Sequence, residues 1–175
     1  RTALALAAGW GFTCALLDDH SVKCWGNNQF GTLGLGDTSS RGNAPGEMGD
    51  ALPPVDLGAG RAASAVTAGA SHVCALLDDR SVKCWGSSTD GQLGLGDQVS
   101  RGWVPGQLGD ALPPVDLGTG RTVVAVAAGT RHTCVVLDDG AIKCWGNNSS
   151  GRLGPGDTTY RGARPGEMGD ALPTV

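Results

Sequence analysis

A 60-residue period governs this chain. Cys14, Cys74 and Cys134 share one phase of it, Cys24, Cys84 and Cys144 another, and Trp25, Trp85 and Trp145 the next. Val22-Lys23-Cys24-Trp25-Gly26 recurs as Val82 to Gly86 and as Ile142 to Gly146. Gly49-Asp50-Ala51-Leu52-Pro53 recurs from Gly109 and from Gly169. Self-similarity at such a spacing marks an array of like supersecondary units, none of which buries its apolar face alone. The expected modules are residues 1–60, 61–120 and a shorter 121–175. Repeated residues then serve the frame, and function is to be sought where the copies differ.

No helical period is sustained over about ten residues. In the second copy Ala65 to Ala68, Val73 to Leu77 and Ser81 to Trp85 read as short strands, each stopped by Gly or an Asp-rich turn. Pro113-Pro114-Val115-Asp116-Leu117 reads as a fourth strand at an edge, because proline cannot donate to a central ladder. Nearly all of the 30 glycines hold fixed phases, as turn positions do, and are not a low-complexity tract. The expected fold is all-β: β-propeller blades, three four-stranded blades per chain. Propellers use about four to eight blades. Three therefore imply either an open arc or a ring closed by oligomerisation, with Pro173-Thr174-Val175 of one chain completing the first blade of another, head to tail.

The cysteines form three pairs at one spacing. A three-residue hairpin loop, Asp138-Asp139-Gly140, suits a type I turn followed by a left-handed residue. It places Cys134 opposite Cys144, and likewise Cys14 opposite Cys24 and Cys74 opposite Cys84. A two-residue loop would put Cys134 opposite Trp145. Directly opposed cysteines on antiparallel strands are close enough to bridge. A disulfide in each hairpin implies an oxidising, extracytoplasmic compartment: periplasm, cell surface or secretion. The alternative is three pairs of buried thiols. The spacing is unlike that of structural zinc sites, and Phe12 stands where His72 and His132 stand, so no metal is expected.

The remaining chemistry is sparse. The net charge of −4, with no Lys/Arg block, leaves no nucleic-acid footprint. No apolar run of about 18 residues is present. Asp18-Asp19, Asp78-Asp79 and Asp138-Asp139 fit hairpin turns better than an acid/base pair or a calcium loop. Asp37 and Arg41, with Asp97/Arg101 and Asp157/Arg161, fit a loop-ordering ion pair. Gly34-Leu35-Gly36 lacks the strand-to-helix setting and the lysine of a phosphate loop. No serine keeps a consistent His and Asp, so neither a catalytic residue nor a cofactor is expected. Asn147-Asn148-Ser149-Ser150 contains glycosylation sequons, which matter in a eukaryotic secretory setting.

The third copy runs Ala128-Gly129-Thr130-Arg131-His132-Thr133-Cys134, Asp139-Gly140, Trp145-Gly146-Asn147-Asn148 and Gly151-Arg152-Leu153-Gly154. The second has Gly91-Gln92-Leu93-Gly94. In these residues the chain resembles the regulator of chromosome condensation repeat family over essentially its whole length. The paired cysteines and the insertion around Pro105 to Pro114 resemble its bacterial, exported branch. The resemblance implies a β-propeller, usually seven-bladed, whose members are mostly binding platforms. Some exchange nucleotide on a small GTPase, one inhibits β-lactamases, and a plant member senses ultraviolet light.

The expected function is therefore a non-enzymatic scaffold for protein–protein interaction. The alternative is a purely structural repeat unit that self-assembles without a ligand of its own. The framework tryptophans should pack between blades. Trp10, Phe12, Phe30, Trp103, Arg131, Arg152 and Tyr160 depart from the repeat. The counterparts of Trp10 are Ala70 and Thr130, and those of Trp103 are Asn43 and Ala163. Each off-pattern residue either anchors a protein partner or fills a local gap.

Overall fold

The computed structural model describes residues 1–175. Its strands are β1 (Ala3–Ala8), β2 (Phe12–Leu17), β3 (Val22–Gly26), β4 (Ala63–Ala68), β5 (His72–Leu77), β6 (Val82–Gly86), β7 (Val123–Ala128), β8 (His132–Leu137) and β9 (Ile142–Gly146). They form three antiparallel sheets, β1-β2-β3, β4-β5-β6 and β7-β8-β9. Each sheet thus has three strands, not the expected four. The segment Pro53-Pro54-Val55 does run beside β3, but only the Val55 amide donates to it, to the Val22 carbonyl at 2.7 Å. Its two prolines have no N–H to offer, so a ladder cannot extend. Where Thr174 replaces the second proline, an isolated bridge to Lys143 appears.

The tail also departs from expectation. The Val175 amide donates to the Ile142 carbonyl of its own β9 at 2.9 Å. Each repeat supplies its own fourth segment, so the tail is not free to complete the first sheet of another chain.

The hairpin register places Cys14 opposite Cys24, Cys74 opposite Cys84 and Cys134 opposite Cys144. All three pairs are disulfides. Each closes a short loop, which limits its stabilisation to ~2–3 kcal/mol. The hairpin loops need a left-handed residue in third place. Gly140 takes it at φ 84°, whereas His20 and Arg80 are forced to 63° and 64°.

The core lies between sheets rather than within them. One cluster joins Cys14, Leu16, Val22, Cys24 and Leu33 of the first repeat to Val73, Ala75, Leu77 and Trp85 of the second. A second joins Cys74, Val82, Cys84 and Leu93 to Val123, Val135, Leu137 and Trp145. Alternate residues of a strand point to opposite faces. The middle sheet is packed on both sides, and all of β5 and β6 is buried. In β8 burial alternates residue by residue, because no following sheet covers its cysteine face. At the other end Leu6 is exposed and Trp25 half-buried, while Trp85 and Trp145 are fully buried.

The same polar contacts recur at both junctions. The Trp85 indole N–H donates to the Thr32 carbonyl, and that of Trp145 to the Gln92 carbonyl, each at 3.0 Å. The buried Lys83 ammonium donates to the carbonyls of Leu57 at 3.0 Å and Gly109 at 2.8 Å. Lys143 does the same with Leu117 and Gly169. The ion pairs expected from spacing are present: Arg41–Asp37 at 2.6 Å, Arg101–Asp97 and Arg161–Asp157 each at 2.7 Å. They order the loop that returns to each sheet through the bridges Gly26–Arg41, Gly86–Arg101 and Gly146–Arg161.

Arg80 bears the cost of a left-handed conformation, and its side chain makes no hydrogen bond or ion pair in return. Arg80→Gly should raise stability by about 0.5–1 kcal/mol, or roughly 2–3 °C in Tm for a chain of this size. Thermal melting followed by circular dichroism tests this. An unchanged or lower Tm would show that the hairpin does not hold Arg80 under strain.

Candidate functional site

Two sets of loops meet at one end of every sheet. The first joins the opening pair of strands: Gly9-Trp10-Gly11, Gly69-Ala70-Ser71 and Gly129-Thr130-Arg131. The second leaves the third strand: residues 27–32, 87–92 and 147–152. The Asn27 amide donates to the Gly11 carbonyl, that of Ser87 to Ser71 and that of Asn147 to Arg131, each at 2.8 Å. These bonds tie the two sets together.

The loops also connect from sheet to sheet. The Trp10 amide donates to the Ala70 carbonyl and the Ala70 amide to the Thr130 carbonyl, both at 3.0 Å. Such close approach requires glycine beside them. A Cβ on Gly69 would run into the Gly129 carbonyl of the next blade. The result is one continuous loop face across the arc.

Most of the off-pattern residues fall on this face. Trp10, Phe12 and Phe30 surround one cavity of about 300 Å³, whose other walls include Asn27, Gln29, Thr32, Ala70 and Ser71. Phe12 is itself buried and fills the floor, whereas Trp10 is 83% exposed and Phe30 41%. Trp103 does not line the cavity. It is 46% exposed, and its backbone packs on Gly31, the residue after Phe30.

Arg131 and Tyr160 meet at the far junction through Asn147 and Asp90, and Arg152 lies on the third-blade loop that follows. The Asn147 amide nitrogen donates to the Tyr160 hydroxyl at 2.7 Å and to Asp90 at 3.3 Å. Arg131 meets Asp90 at 3.4 Å. The Arg152 guanidinium donates to Ser149 and Ser150 hydroxyls, each at 3.3 Å.

Asp90, Asn27 and Gln29 join this face without being among the off-pattern aromatics and arginines. Asp90 stands at the phase of Phe30 and Ser150, so the off-pattern criterion applied to acids as well as to aromatics would have found it. Asn27 carried no such signal, since Asn147 repeats it. The sequon at Asn148 is not open to a glycan. Its side chain is fully buried, and its amide nitrogen donates to the Asp157 and Thr159 carbonyls and the Asp157 carboxylate.

Three sheets arranged side by side around common inner strands, with the core between them, form the blades of a β-propeller arc. Profiles of the regulator of chromosome condensation (RCC1) repeat match residues 4–32, 63–92 and 123–152, and residues 19–76 and 81–136. The chain belongs to this family. It is 36% identical over 154 residues to the ultraviolet-B receptor UVR8 of Arabidopsis thaliana, covering 87% of this chain and 31% of the receptor. It is 31% identical over 158 residues to the human E3 ubiquitin-protein ligase HERC2, covering 89% of this chain and 3% of the ligase.

Among solved structures, Prp20p of Saccharomyces cerevisiae superposes with a TM-score of 0.70 at 23% identity, over 93% of this chain and 37% of Prp20p. Yeast RCC1 (Prp20) bound to Kap60 gives 0.68 at 22%, over 93% and 36%. The chain thus spans about a third or less of these proteins.

Beneath the loop face lies one titratable junction. Thr133 donates its hydroxyl proton to the Gln92 carbonyl at 3.0 Å. The His72 Nε2–H therefore donates to Thr133 Oγ1, at 2.9 Å. His72 Nδ1 is left buried without a partner. Burial first, then the neighbouring charge of His132, lower the His72 pKa to about 4. Burial and the Arg152 charge lower that of His132 as well.

The folded chain thus holds His72 neutral. Its contribution is complete above an unfolded pKa near ~6.5, and it is lost as pH falls from there through about 4. At pH 4 the loss amounts to ~3 kcal/mol. His72→Phe, which copies the residue at this phase in the first blade, should cost about 1 kcal/mol at pH 7 through the lost hydrogen bond. It should also remove most of the acid sensitivity between pH 6.5 and 4. Urea unfolding at both pH values measures this, and equal acid sensitivity in the two proteins would refute it.

Proposed function

We propose that this chain is a non-enzymatic propeller scaffold for protein binding, exported to an oxidising compartment, with one blade per repeat at 1–60, 61–120 and 121–175. The observation that carries the reading is Trp10. It stands 83% exposed beside an aromatic cavity. The fold needs no indole there, since Ala70 and Thr130 serve the same backbone position. A large exposed aromatic with no packing role is the usual anchor of a binding surface.

The yeast neighbours support the assignment by analogy, one being solved with Kap60 and the other reported for binding to Gsp1p and histones. The three disulfides favour export. Ultraviolet sensing and ubiquitin ligation belong to much longer proteins and are not assigned here.

Panning a random peptide library on the immobilised protein tests the reading. Enriched peptides should bind wild type and fail on Trp10→Thr, with the melting temperature unchanged. Peptides that bind both proteins equally, or no enrichment at all, would leave the structural-unit alternative standing.

The open first blade favours a second association. Leu6 is exposed and Trp25 half-buried. Lys23 reaches only the Gly49 carbonyl, at 2.7 Å. Its counterparts Lys83 and Lys143 each reach two carbonyls. We propose that this face docks on the open face of a third blade in another copy, head to tail. Sedimentation velocity should show a concentration-dependent dimer that Leu6→Glu abolishes. Monomer alone at all concentrations would exclude this association.

A further inference from the structure

We propose that the loop face takes an acidic polypeptide segment carrying one large apolar side chain. The inference rests on the scaffold reading above and adds the chemistry of the partner. The cavity bounded by Trp10 and Phe30 holds about 300 Å³, room for a single large side chain. Its walls are three aromatic residues, Asn27, Gln29 and small or hydroxyl-bearing residues, with no charged group among them. That is a site for an apolar or aromatic anchor.

The loop chain from Trp10 through Ala70 to Thr130 leads from this cavity to Arg131, joined by two backbone hydrogen bonds of 3.0 Å. An extended segment anchored at one end of that path has its further residues over Arg131, and Arg152 lies on the loop that the Asn147-to-Arg131 backbone hydrogen bond ties to it. Arg131 is 60% exposed at the side chain, and its one carboxylate contact, Asp90 at 3.4 Å, is also engaged by Asn147. Arg152 is exposed, and its guanidinium meets only serine hydroxyls.

The fold does not require either cation. The phase of Arg131 holds Gly11 and Ser71 in the other blades, and that of Arg152 holds Thr32 and Gln92. Two exposed cations gathered on one face run against a chain of net charge −4. An acidic partner is repelled by the rest of the surface and admitted here. A nucleic acid would need a longer track of cations than two guanidiniums provide.

Anisotropy titrations with labelled synthetic decapeptides test the proposal. The first probe is rich in Asp, Glu and Gly with one central Phe. The second replaces Phe by Gly, the third replaces every acid by Lys, and the fourth is a thymidine decanucleotide. The first should bind, more weakly as salt rises, and each of the others at least about tenfold more weakly. Trp10→Thr and the pair Arg131→Gly with Arg152→Thr should each cost about tenfold or more. All three substitutions install residues the other blades already tolerate, and circular dichroism melts confirm folding.

Equal or tighter binding of the lysine peptide or the oligonucleotide would overturn the proposal, as would indifference to the arginine replacements. If library panning yields Trp10-dependent peptides that are not acidic, the scaffold reading stands and this inference falls.

Discussion

Everything in this molecule depends on one blade packing against the next. The contact has a fixed form. A tryptophan from one blade enters a hollow over a glycine of its predecessor, Trp85 over Gly34 and Trp145 over Gly94. A Cβ on Gly34 would lie 3.0 Å from the Trp85 indole nitrogen, so a side chain there would displace the ring. The indole N–H then finds a carbonyl two residues before the glycine, and the buried lysine finds two more. Burying an ammonium is costly unless it is fully hydrogen-bonded. The lysine therefore favours correctly seated blades over approximately seated ones.

That dependence explains the rest of the architecture. A lone three-stranded sheet has little apolar surface to bury within itself, and each face here is completed by a neighbour. The disulfides stiffen each hairpin toward its following blade, where Cys74 and Cys84 join the second core. The outer edge of each sheet carries a proline-led segment whose valine amide, of Val55, Val115 or Val175, donates to the sheet's third strand. Such an edge offers few free donors to a foreign strand, which discourages edge-to-edge aggregation.

Much of this was legible in the sequence because a repeat displays its own constraints. The period pointed to an array of like units and the short strands to blades, and a three-residue loop shared by all three copies, His20 and Arg80 standing where Gly140 does, places Cys134 opposite Cys144. The fourth strand is absent for a physical reason. An apolar extended segment beside an edge looks like a strand, but Pro53 and Pro54 take away the donors a ladder needs. Phe12 is off-pattern like Trp10, yet it is buried, at the phase of His72 and His132, and serves as packing more than as contact surface. Residue identity marked both positions as unusual. Only the direction of the side chain separates them, and no single sequence carries that information for a loop.

The loop face separates two demands that often compete. Backbone hydrogen bonds from loop to loop hold Trp10, Ala70 and Thr130 in place whatever their side chains are. The side chains on this path are accordingly released from any packing task, and the three copies have diverged there to indole, methyl and hydroxyl. The framework residues two strands below have not diverged at all: Cys24, Trp25 and Gly26 keep their identity in every copy. A surface so supported can change its ligand chemistry without touching the blade contacts. The positions worth comparing between related arcs are those whose main chain is bonded and whose side chain is not.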